Sequence, residues 1–219
     1  MPEIRVLIVD DDPLVRSALS HFVSRDADIH VVGEAESGAE AVAFVEHDLP
    51  DVIMMDVQMP EMNGIEATAA IVERWPDVRI LAVTTLDGSD TVLPMLSAGA
   101  SGYMLKDSTA ESIVAAVHEV HNGASSLSPR IASMLINHVR AAESTSSAGR
   151  EPLVPLTDRE SEVLGRLAEG MSNAEIARTL IVSEGTVKAH LGSIMSKWHI
   201  RDRVQIIVTA ARAGLVDFR

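Results

Sequence analysis

Acidic side chains follow two short apolar runs in the first half of the chain, and a lysine follows a third. Asp10 and Asp11 close the first run and Asp56 closes the second. Lys106 closes the third. The runs, rich in β-branched or bulky residues, are 4–9, 52–55 and 103–105. Such runs form buried parallel strands whose carboxyl ends meet at one edge of a sheet, so we expect three carboxylates and one ammonium to lie together.

Three carboxylates at one sheet edge repel each other unless a cation lies among them or one group stays protonated. Oxygen ligands without a nearby histidine or cysteine favour a hard ion, so the expected cofactor is Mg²⁺ or Mn²⁺. A carboxylate beside such an ion can attack phosphorus, because the metal neutralises charge on the phosphoryl oxygens. Acidic turns after strands are common, but three strand-end matches in order predict a phosphoryl-transfer site.

The first half alternates strand and helix patterns. Five successive strand–helix units predict a doubly wound α/β domain with a five-stranded parallel sheet. Asp12 is expected to cap the first helix, with Pro13 in its first turn. The strands are expected over 4–9, 30–35, 52–56, 79–84 and 102–105, and the helices over 13–24, 38–47, 63–75, 90–98 and 109–122.

Charge divides the chain into two unlike halves. The net charge of the whole is −14, which alone argues against nucleic acid binding. Residues 1–122 hold 22 acidic and 6 basic side chains, net −16, whereas residues 123–219 hold 10 and 12, net +2. A mildly positive C-terminal segment can bind DNA where its positive charge is local.

Composition excludes several classes of protein. The 219 residues are enough for two domains, and 47% hydrophobic content excludes disorder throughout. No apolar stretch approaches the roughly 18 residues that span a bilayer, and the N-terminus has no basic-then-apolar leader, so no membrane partner is expected. The absence of cysteine excludes disulfides and thiolate metal sites and agrees with a cytoplasmic location.

A change of composition separates the two expected domains. We expect a first domain over 1–124, a linker over 125–152 and a second domain over 153–219. Within the linker, 129–140 carries a short helical pattern, and 142–152 is rich in small and polar residues without apolar periodicity.

The second domain carries helical patterns alone, which predicts an all-α domain of four helices. Thr157 with Glu160 and Ser172 with Glu175 form capping boxes, so both glutamates are expected to be structural. Gly170 is expected to end the first helix. The later helices are expected over 173–180, 184–198 and 204–213, and the first two of these form a helix-turn-helix around 181–183.

The helix over 184–198 has two different faces. The residues at core-facing helical spacing are Val187, Leu191, Ile194 and Trp198. The residues of another face, where small side chains around one lysine suit close approach to a groove, are Gly185, Lys188, Ala189 and Gly192. A poorly filled solvent face is the plainer interpretation of that second set.

Several segments together resemble the receiver domain of two-component response regulators. They are LIVDDDP at 7–13, DVQMPEMNG at 56–64 and GYMLK at 102–106, with Thr84 ending the fourth strand. The likeness covers roughly residues 3–122 in the right order and spacing. It implies a flavodoxin-like fold in which a sensor histidine kinase phosphorylates Asp56.

The same resemblance implies a role for each residue near Asp56. Asp11 would bind Mg²⁺ directly, Asp10 through water and Gln58 through its backbone carbonyl, which with Asp56 completes the metal set. Lys106 would hold a phosphoryl oxygen as a point charge.

Thr84 and Tyr103 resemble the switch pair of that family, in which the hydroxyl turns to the phosphoryl group and the ring fills the vacated space. Pro60 and Gly64 are expected to shape the loop beside the phosphoacceptor. One departure is Thr85, where the family more often has a smaller residue, and it puts the lifetime of the phosphorylated state in question.

The segment EGTVKAH at 184–190 resembles the recognition helix of LuxR-type DNA-binding domains, with a likeness over 156–216. Both halves together resemble the NarL/FixJ type of response regulator. Lys188 would contact bases or phosphate, and small neighbours where the family carries longer side chains imply few direct base contacts and more shape readout. The residues implied to contact double-stranded DNA are Gly185, Thr186, Lys188, Ala189, His190, Gly192, Arg201 and Arg203.

The last helix, closed by Gly214, carries apolar residues that resemble the surface by which such domains pair. The predicted dimerisation residues are Val204, Ile207, Val208 and Ala211. A homodimer formed on phosphorylation implies a two-fold operator, and RNA polymerase is a further expected partner. The expected protein is thus a transcription regulator and not an enzyme.

Two other functions fit parts of the pattern. An Mg²⁺-dependent phosphatase uses a similar sheet but usually places its nucleophile after the first strand, where this chain has Asp10 and Asp11. A constitutive DNA-binding regulator would use the first domain only for dimerisation, and would not need the intact set of carboxylates, Thr84 and Lys106.

Overall fold

The computed structural model describes residues 3–85, 88–123, 126–127, 153–169, 171 and 173–215. The chain divides into two compact units, Met1–Ile131 and Ala132–Arg219. The predicted linker helix over 129–140, the segment 142–152, Gly170 and Ser172 lie outside the described residues. In the parts that are described, no helix is long and apolar enough to cross a bilayer.

The first unit is built on a parallel sheet with strand order β2-β1-β3-β4-β5-β6. The interior strands β1, β3 and β4 are almost entirely buried, as continuous apolar runs require. The strands are β1 Ile4–Val9, β2 Ile29–Ala35, β3 Val52–Met55, β4 Arg79–Thr84, β5 Gly102–Leu105 and β6 Ser126–Leu127.

The short strand β6 was not among the five predicted. It extends the sheet beyond β5, with Ser126 opposite Gly102 and Leu127 opposite Tyr103. Two residues are too few to show a period in the sequence. The five longer strands confirm the predicted doubly wound sheet.

Five helices flank the sheet at nearly the predicted bounds. They are α1 Pro13–Val23, α2 Gly38–His47, α3 Gly64–Arg74, α4 Ser89–Ser97 and α5 Ala110–His121. Asp12 caps α1 as predicted, accepting a hydrogen bond from Leu14 N at 2.8 Å. Asn63 and Glu66 form a capping box that begins α3 immediately after the loop that follows Asp56.

The second unit contains four helices among its described residues. They are α6 Asp158–Ala168, α7 Asn173–Leu180, α8 Glu184–Trp198 and α9 Arg203–Ala213. The predicted core positions of α8 are all buried, and they pack with Ile176 of α7 and with Val163 and Leu167 of α6. Ile181, in the turn between α7 and α8, has a φ of 55° and is 91% exposed.

Candidate functional site

The predicted carboxylates form one cluster at the carboxyl ends of β1 and β3. Asp10, Asp11 and Asp56 each place an oxygen within 4.8 Å of the other two. Asp10 is fully buried and Asp56 is 5% exposed, whereas Asp11 is exposed. The cluster is therefore open to solvent on the side of Asp11.

Lys106, directly after β5, joins this cluster. Its Nζ lies 2.5 Å from Asp10 Oδ2 and 3.1 Å from Asp56 Oδ2. Its backbone N–H donates to the carbonyl of Thr84 at 2.8 Å, which fixes the residue beside the end of β4. One ammonium thus contacts two of the three carboxylates, and the cluster keeps a net negative charge.

Burial and like charge perturb the titration of these groups. Burial raises the pKa of Asp56, and the Asp10 carboxylate adds to that effect, together outweighing the hydrogen bond and charge of Lys106. Burial alone would lower the pKa of Lys106, but its contacts with Asp10 and Asp56 raise it overall. The ammonium is thereby kept charged while Asp56 is ionised at a cost.

The donor set fits a divalent cation that prefers oxygen ligands. Asp10 Oδ2 is buried, and among the described residues its close contact is the ion pair with Lys106 Nζ at 2.5 Å. Because Lys106 also pairs with Asp56, one ammonium does not neutralise three carboxylates, and a divalent cation would supply the missing positive charge. Gln58 is exposed in the loop after Asp56, and its backbone role stays a prediction.

The backbone around Asp56 is held closely. Asp56 N donates to the carbonyl of Val9 at 2.8 Å, and Val57 N donates to Asp56 Oδ1 at 2.8 Å. A Cβ on Gly64 would lie 1.9 Å from the backbone oxygen of Asp56. The loop after β3 can therefore pass Asp56 only with glycine at position 64, as the sequence led us to expect of a loop-shaping residue.

Thr84 and Tyr103 lie on neighbouring strands of the sheet. Thr84 is 1% exposed at the end of β4, and Tyr103 of β5 is fully buried. The Tyr103 hydroxyl donates to Thr91 Oγ1 of α4 at 3.4 Å. The sequence did not point to Thr91, because no periodicity relates a strand residue to a helix residue twelve positions earlier.

The predicted DNA-contacting face of α8 is solvent-accessible. Gly185, Lys188 and Ala189 are exposed, while the remaining members of that helix, Thr186, His190 and Gly192, are half-buried. A Cβ at Gly192 would meet nothing within 4 Å, and one at Gly185 would meet only Ser183 Oγ at 3.6 Å. Internal packing does not require these glycines. Glycine also destabilises a helix by about 1 kcal/mol relative to alanine, so packing and helix stability do not explain their presence.

Lys188 differs from other cations of this unit. It is exposed and forms no ion pair within the described part of the chain. Arg201 lies 3.6 Å from the buried Asp202, and Arg203 donates to Asn173 Oδ1 at 3.1 Å and to the carbonyl of Met171. Both arginines thus make contacts inside the unit, and their phosphate role stays a prediction.

Glu160 is structural, as predicted, but its contacts extend further than a capping box. Its Oε2 accepts from Thr157 N at 2.7 Å and from Lys197 Nζ at 2.6 Å, and its Oε1 accepts from Ser193 Oγ at 2.7 Å. Burial alone would raise the pKa of Glu160, but these donors hold it at about 2. The start of α6 is thereby tied to the second half of α8.

The predicted dimerisation residues occupy several environments. Val204 and Val208 are 0% and 7% exposed, and Ile207 is partly buried against the core of the unit. The side chain of Ala211 lies outside the described set. The prediction from the sequence did not include Ile206 and Ala210, which belong to that core. Pairing through α9 stays a prediction, and in this structure Val204 and Val208 do not lie on an open surface.

Comparison with known proteins covers both units. The family described as "Response regulator receiver domain" matches residues 6–118, and "Bacterial regulatory proteins, luxR family" matches residues 154–210. The transcriptional regulatory protein DegU of Brevibacillus brevis is 36% identical over 99% of this chain and 97% of its own. The transcriptional regulatory protein LiaR of Bacillus subtilis (strain 168) is 39% identical over 98% of this chain and 100% of its own.

A solved structure agrees with these matches. The response regulator ChrA, from a heme-sensing two-component system, superposes with a TM-score of 0.55 at 34% identity. The match covers 98% of this chain and 100% of that one. Receiver and LuxR-type domains thus occur in the same order along whole relatives of this length.

Proposed function

We propose that Asp56 is the phosphoacceptor of this chain, which belongs to the response regulators that join a receiver domain to a LuxR-type DNA-binding domain. The chain is a DNA-binding transcriptional regulator of two-component type. The proposed donor is a phosphohistidine of a sensor histidine kinase. The observation that carries this assignment is the cluster in which Asp10, Asp11, Asp56 and Lys106 meet at one sheet edge. We place this chemistry in the cytoplasm, where kinase and DNA are both accessible.

In the proposed step, a carboxylate oxygen of Asp56 attacks phosphorus. The new O–P bond forms as the P–N bond of phosphohistidine breaks, and the imidazole leaves with that electron pair and is protonated. Val57 N holds Asp56 Oδ1 and so orients the nucleophile. The Lys106 ammonium, already 3.1 Å from Asp56 Oδ2, is placed to pair with the transferred phosphoryl group.

The residues proposed to hold Mg²⁺ or Mn²⁺ are Asp10, Asp11, Asp56 and the backbone carbonyl of Gln58. The metal would neutralise charge on the phosphoryl oxygens as they approach a cluster that otherwise repels an anion. Asp10 and Asp11 supply most of that negative charge. Asp10 is buried and Asp11 is exposed, so the metal and the phosphoryl group would reach the cluster from the side of Asp11.

Phosphorylation is proposed to act through Thr84 and Tyr103 on pairing of two chains. Two recognition helices held together bind a two-fold operator more tightly without any new contact, because the second binding event becomes intramolecular. The proposed boundaries are a receiver over 1–124, a linker over 125–152 and the DNA-binding domain over 153–219. RNA polymerase is the further partner through which the bound dimer would act.

Labelling with acetyl phosphate tests the assignment. The Asp56→Asn variant should lose labelling, because an amide is not a competent nucleophile, and chelation of Mg²⁺ should abolish labelling of the unaltered protein. Asp12→Asn is the matched control, since it makes the same change two residues from Asp10 at a position where asparagine also caps a helix. Stable labelling of the Asp56→Asn variant at an unchanged site would contradict the proposal.

A further inference from the structure

The side chain of Arg16 lies against the backbone that joins two of the clustered carboxylates. Arg16 is in the first turns of α1, and its Nη1 donates to the backbone oxygen of Asp10 at 2.6 Å. That oxygen belongs to the peptide group linking Asp10 to Asp11. Fixing this peptide plane therefore constrains the directions in which both side chains leave the backbone.

A second contact holds the Arg16 guanidinium in place. Its Nε lies 3.4 Å from Glu34 Oε2, and the side chain of Arg16 is only 15% exposed. Glu34 is on β2, where it pairs in register with Ile8 of β1. The guanidinium is thus held between the start of α1, the end of β1 and the end of β2.

We propose that Arg16 is a positioning residue for the divalent cation of the phosphorylation site, with Glu34 acting through it. The inference rests on the proposed function. Arg16 bonds to the backbone of Asp10, so its effect on the metal is exerted through the Asp10–Asp11 peptide. Residues that orient metal ligands in this way typically change metal affinity by about 10- to 100-fold when removed.

The positive charge of Arg16, taken alone, predicts the opposite change in Mg²⁺ affinity when Arg16 is replaced. A guanidinium close to a divalent cation repels it, so deleting the charge would tighten Mg²⁺ binding if repulsion were all that Arg16 contributed. Loss of the hydrogen bond to Asp10 would instead free the peptide and weaken binding. The sign of the change in Mg²⁺ affinity therefore separates the two roles.

Calorimetric titration of the full chain with Mg²⁺, without phosphodonor, tests this directly. Arg16→Met should raise the Kd for Mg²⁺ by about 10-fold. Arg16→Lys keeps the charge and can donate one hydrogen bond, so a smaller rise is expected. Arg25→Met, which deletes the same charge beyond the far end of α1, should leave the Kd within about twofold of the unaltered protein because exposed charges at that range are screened.

Glu34→Gln tests whether that carboxylate acts through Arg16. It should weaken Mg²⁺ binding in the unaltered protein but have no further effect in the Arg16→Met background, as a double-mutant cycle requires of coupled residues. An equal or lower Kd in Arg16→Met would overturn the inference. If that variant does not fold, Arg16→Gln removes the same charge, and an equal or lower Kd in that variant would overturn the inference instead.

The outcomes also separate this inference from the proposed function. An unaltered protein that bound no Mg²⁺ and took no label from acetyl phosphate would contradict the proposed function itself. An unaltered protein that bound Mg²⁺ and was labelled, together with Arg16 variants of unchanged affinity, would contradict only the positioning role.

Discussion

Both units of the molecule bury carboxylates, and Glu160 and Asp56 differ in what surrounds them. Glu160 of the second unit is 3% exposed and accepts hydrogen bonds from a backbone N–H, a serine hydroxyl and a lysine ammonium. Asp56 of the first unit is 5% exposed, accepts a hydrogen bond from Val57 N and shares the Lys106 ammonium with Asp10. The residues are chemically alike, so the difference lies in what the fold has placed around them.

The pKa values follow those surroundings. The donors around Glu160 hold its pKa at about 2 although burial acts to raise it, whereas burial raises the pKa of Asp56. A buried carboxylate supplied with donors by the protein stabilises the fold. Asp56 has fewer donors and a like charge beside it, so its ionised form is less favoured than that of Glu160, and a divalent cation at this cluster would favour it.

The largest expected effect is loss of stability when Glu160 is made neutral. Glu160→Gln removes the charge that pairs with Lys197 and should lower the free energy of unfolding of the second unit by about 2–3 kcal/mol at neutral pH. Trp198 lies in this unit, so its fluorescence in a Trp75→Phe background reports the transition in denaturant. Glu162→Gln, which removes a partner of Arg159 at the surface, should cost less than about 1 kcal/mol.

The pH dependence of the same unfolding transition distinguishes the charge of Glu160 from its packing. The pKa of Glu160 is lower in the folded protein, about 2 against 4.5, so its contribution is present above pH 4.5 and is lost as pH falls towards 2. The difference in stability between the unaltered protein and Glu160→Gln should shrink across that window. A constant difference down to pH 2 would show that the lost stability comes from packing and not from charge.

Two lysines of α8 extend the comparison to DNA binding. Lys197 is paired with Glu160, whereas Lys188 is exposed, so Lys188→Ala should weaken operator binding by about 1–3 kcal/mol if it contacts base edges, and by less if it contacts phosphate. Competition with random DNA in a gel-shift titration separates these cases. Arg166→Ala, which removes a surface partner of Glu169, is the charge-matched control and should have the smaller effect.

The first unit should respond to charge removal in the opposite sense to Glu160. Asp56→Asn removes a buried carboxylate whose ionised form is disfavoured by burial and by Asp10, and it should raise the free energy of unfolding of the receiver without divalent ions. Hydrogen exchange of receiver peptides measures the change. Added Mg²⁺ should stabilise the unaltered receiver more than this variant, and a variant less stable than the unaltered protein in metal-free buffer would break the contrast.

A smaller change is expected from relieving conformational strain in the second unit. Ile181 is a β-branched residue at a φ of 55° with 91% of its side chain exposed. Asparagine tolerates this backbone region better and loses little packing here, so Ile181→Asn should stabilise the unit by about 0.5–1 kcal/mol. Ile181→Val keeps the β-branch and should give no such gain in the same denaturation assay.

The cluster at the carboxyl ends of β1, β3 and β5 was predictable because its geometry follows from topology. Parallel strands place their carboxyl ends at one edge of the sheet. Three short apolar runs in the sequence were therefore enough to predict that Asp10, Asp56 and Lys106 lie close together. The contacts of Arg16 were not predictable in this way. A long side chain reaching from a helix to a backbone oxygen leaves no period or motif in the sequence.

The second unit shows the same limit. The capping box identified Glu160 as structural, but Ser193 and Lys197 lie 33 and 37 residues further along the chain and no local rule connects them. In α9, apolar residues occur almost all round the helix, so periodicity did not select Ile206 and Ala210 as core residues. Which apolar residues of α9 are buried depends on side-chain packing against the other helices of the unit.

Gly64 shows that a residue without any reactive atom can limit how a receiver domain diversifies. Even one added carbon would fall 1.9 Å from the carbonyl of Asp56, so every lineage that keeps this loop must also keep the glycine. A 57–63 segment exchanged between such regulators must therefore still be followed by glycine. The exposed positions before the glycine, such as Gln58, can vary. Position 64, where the loop ends, accommodates only glycine.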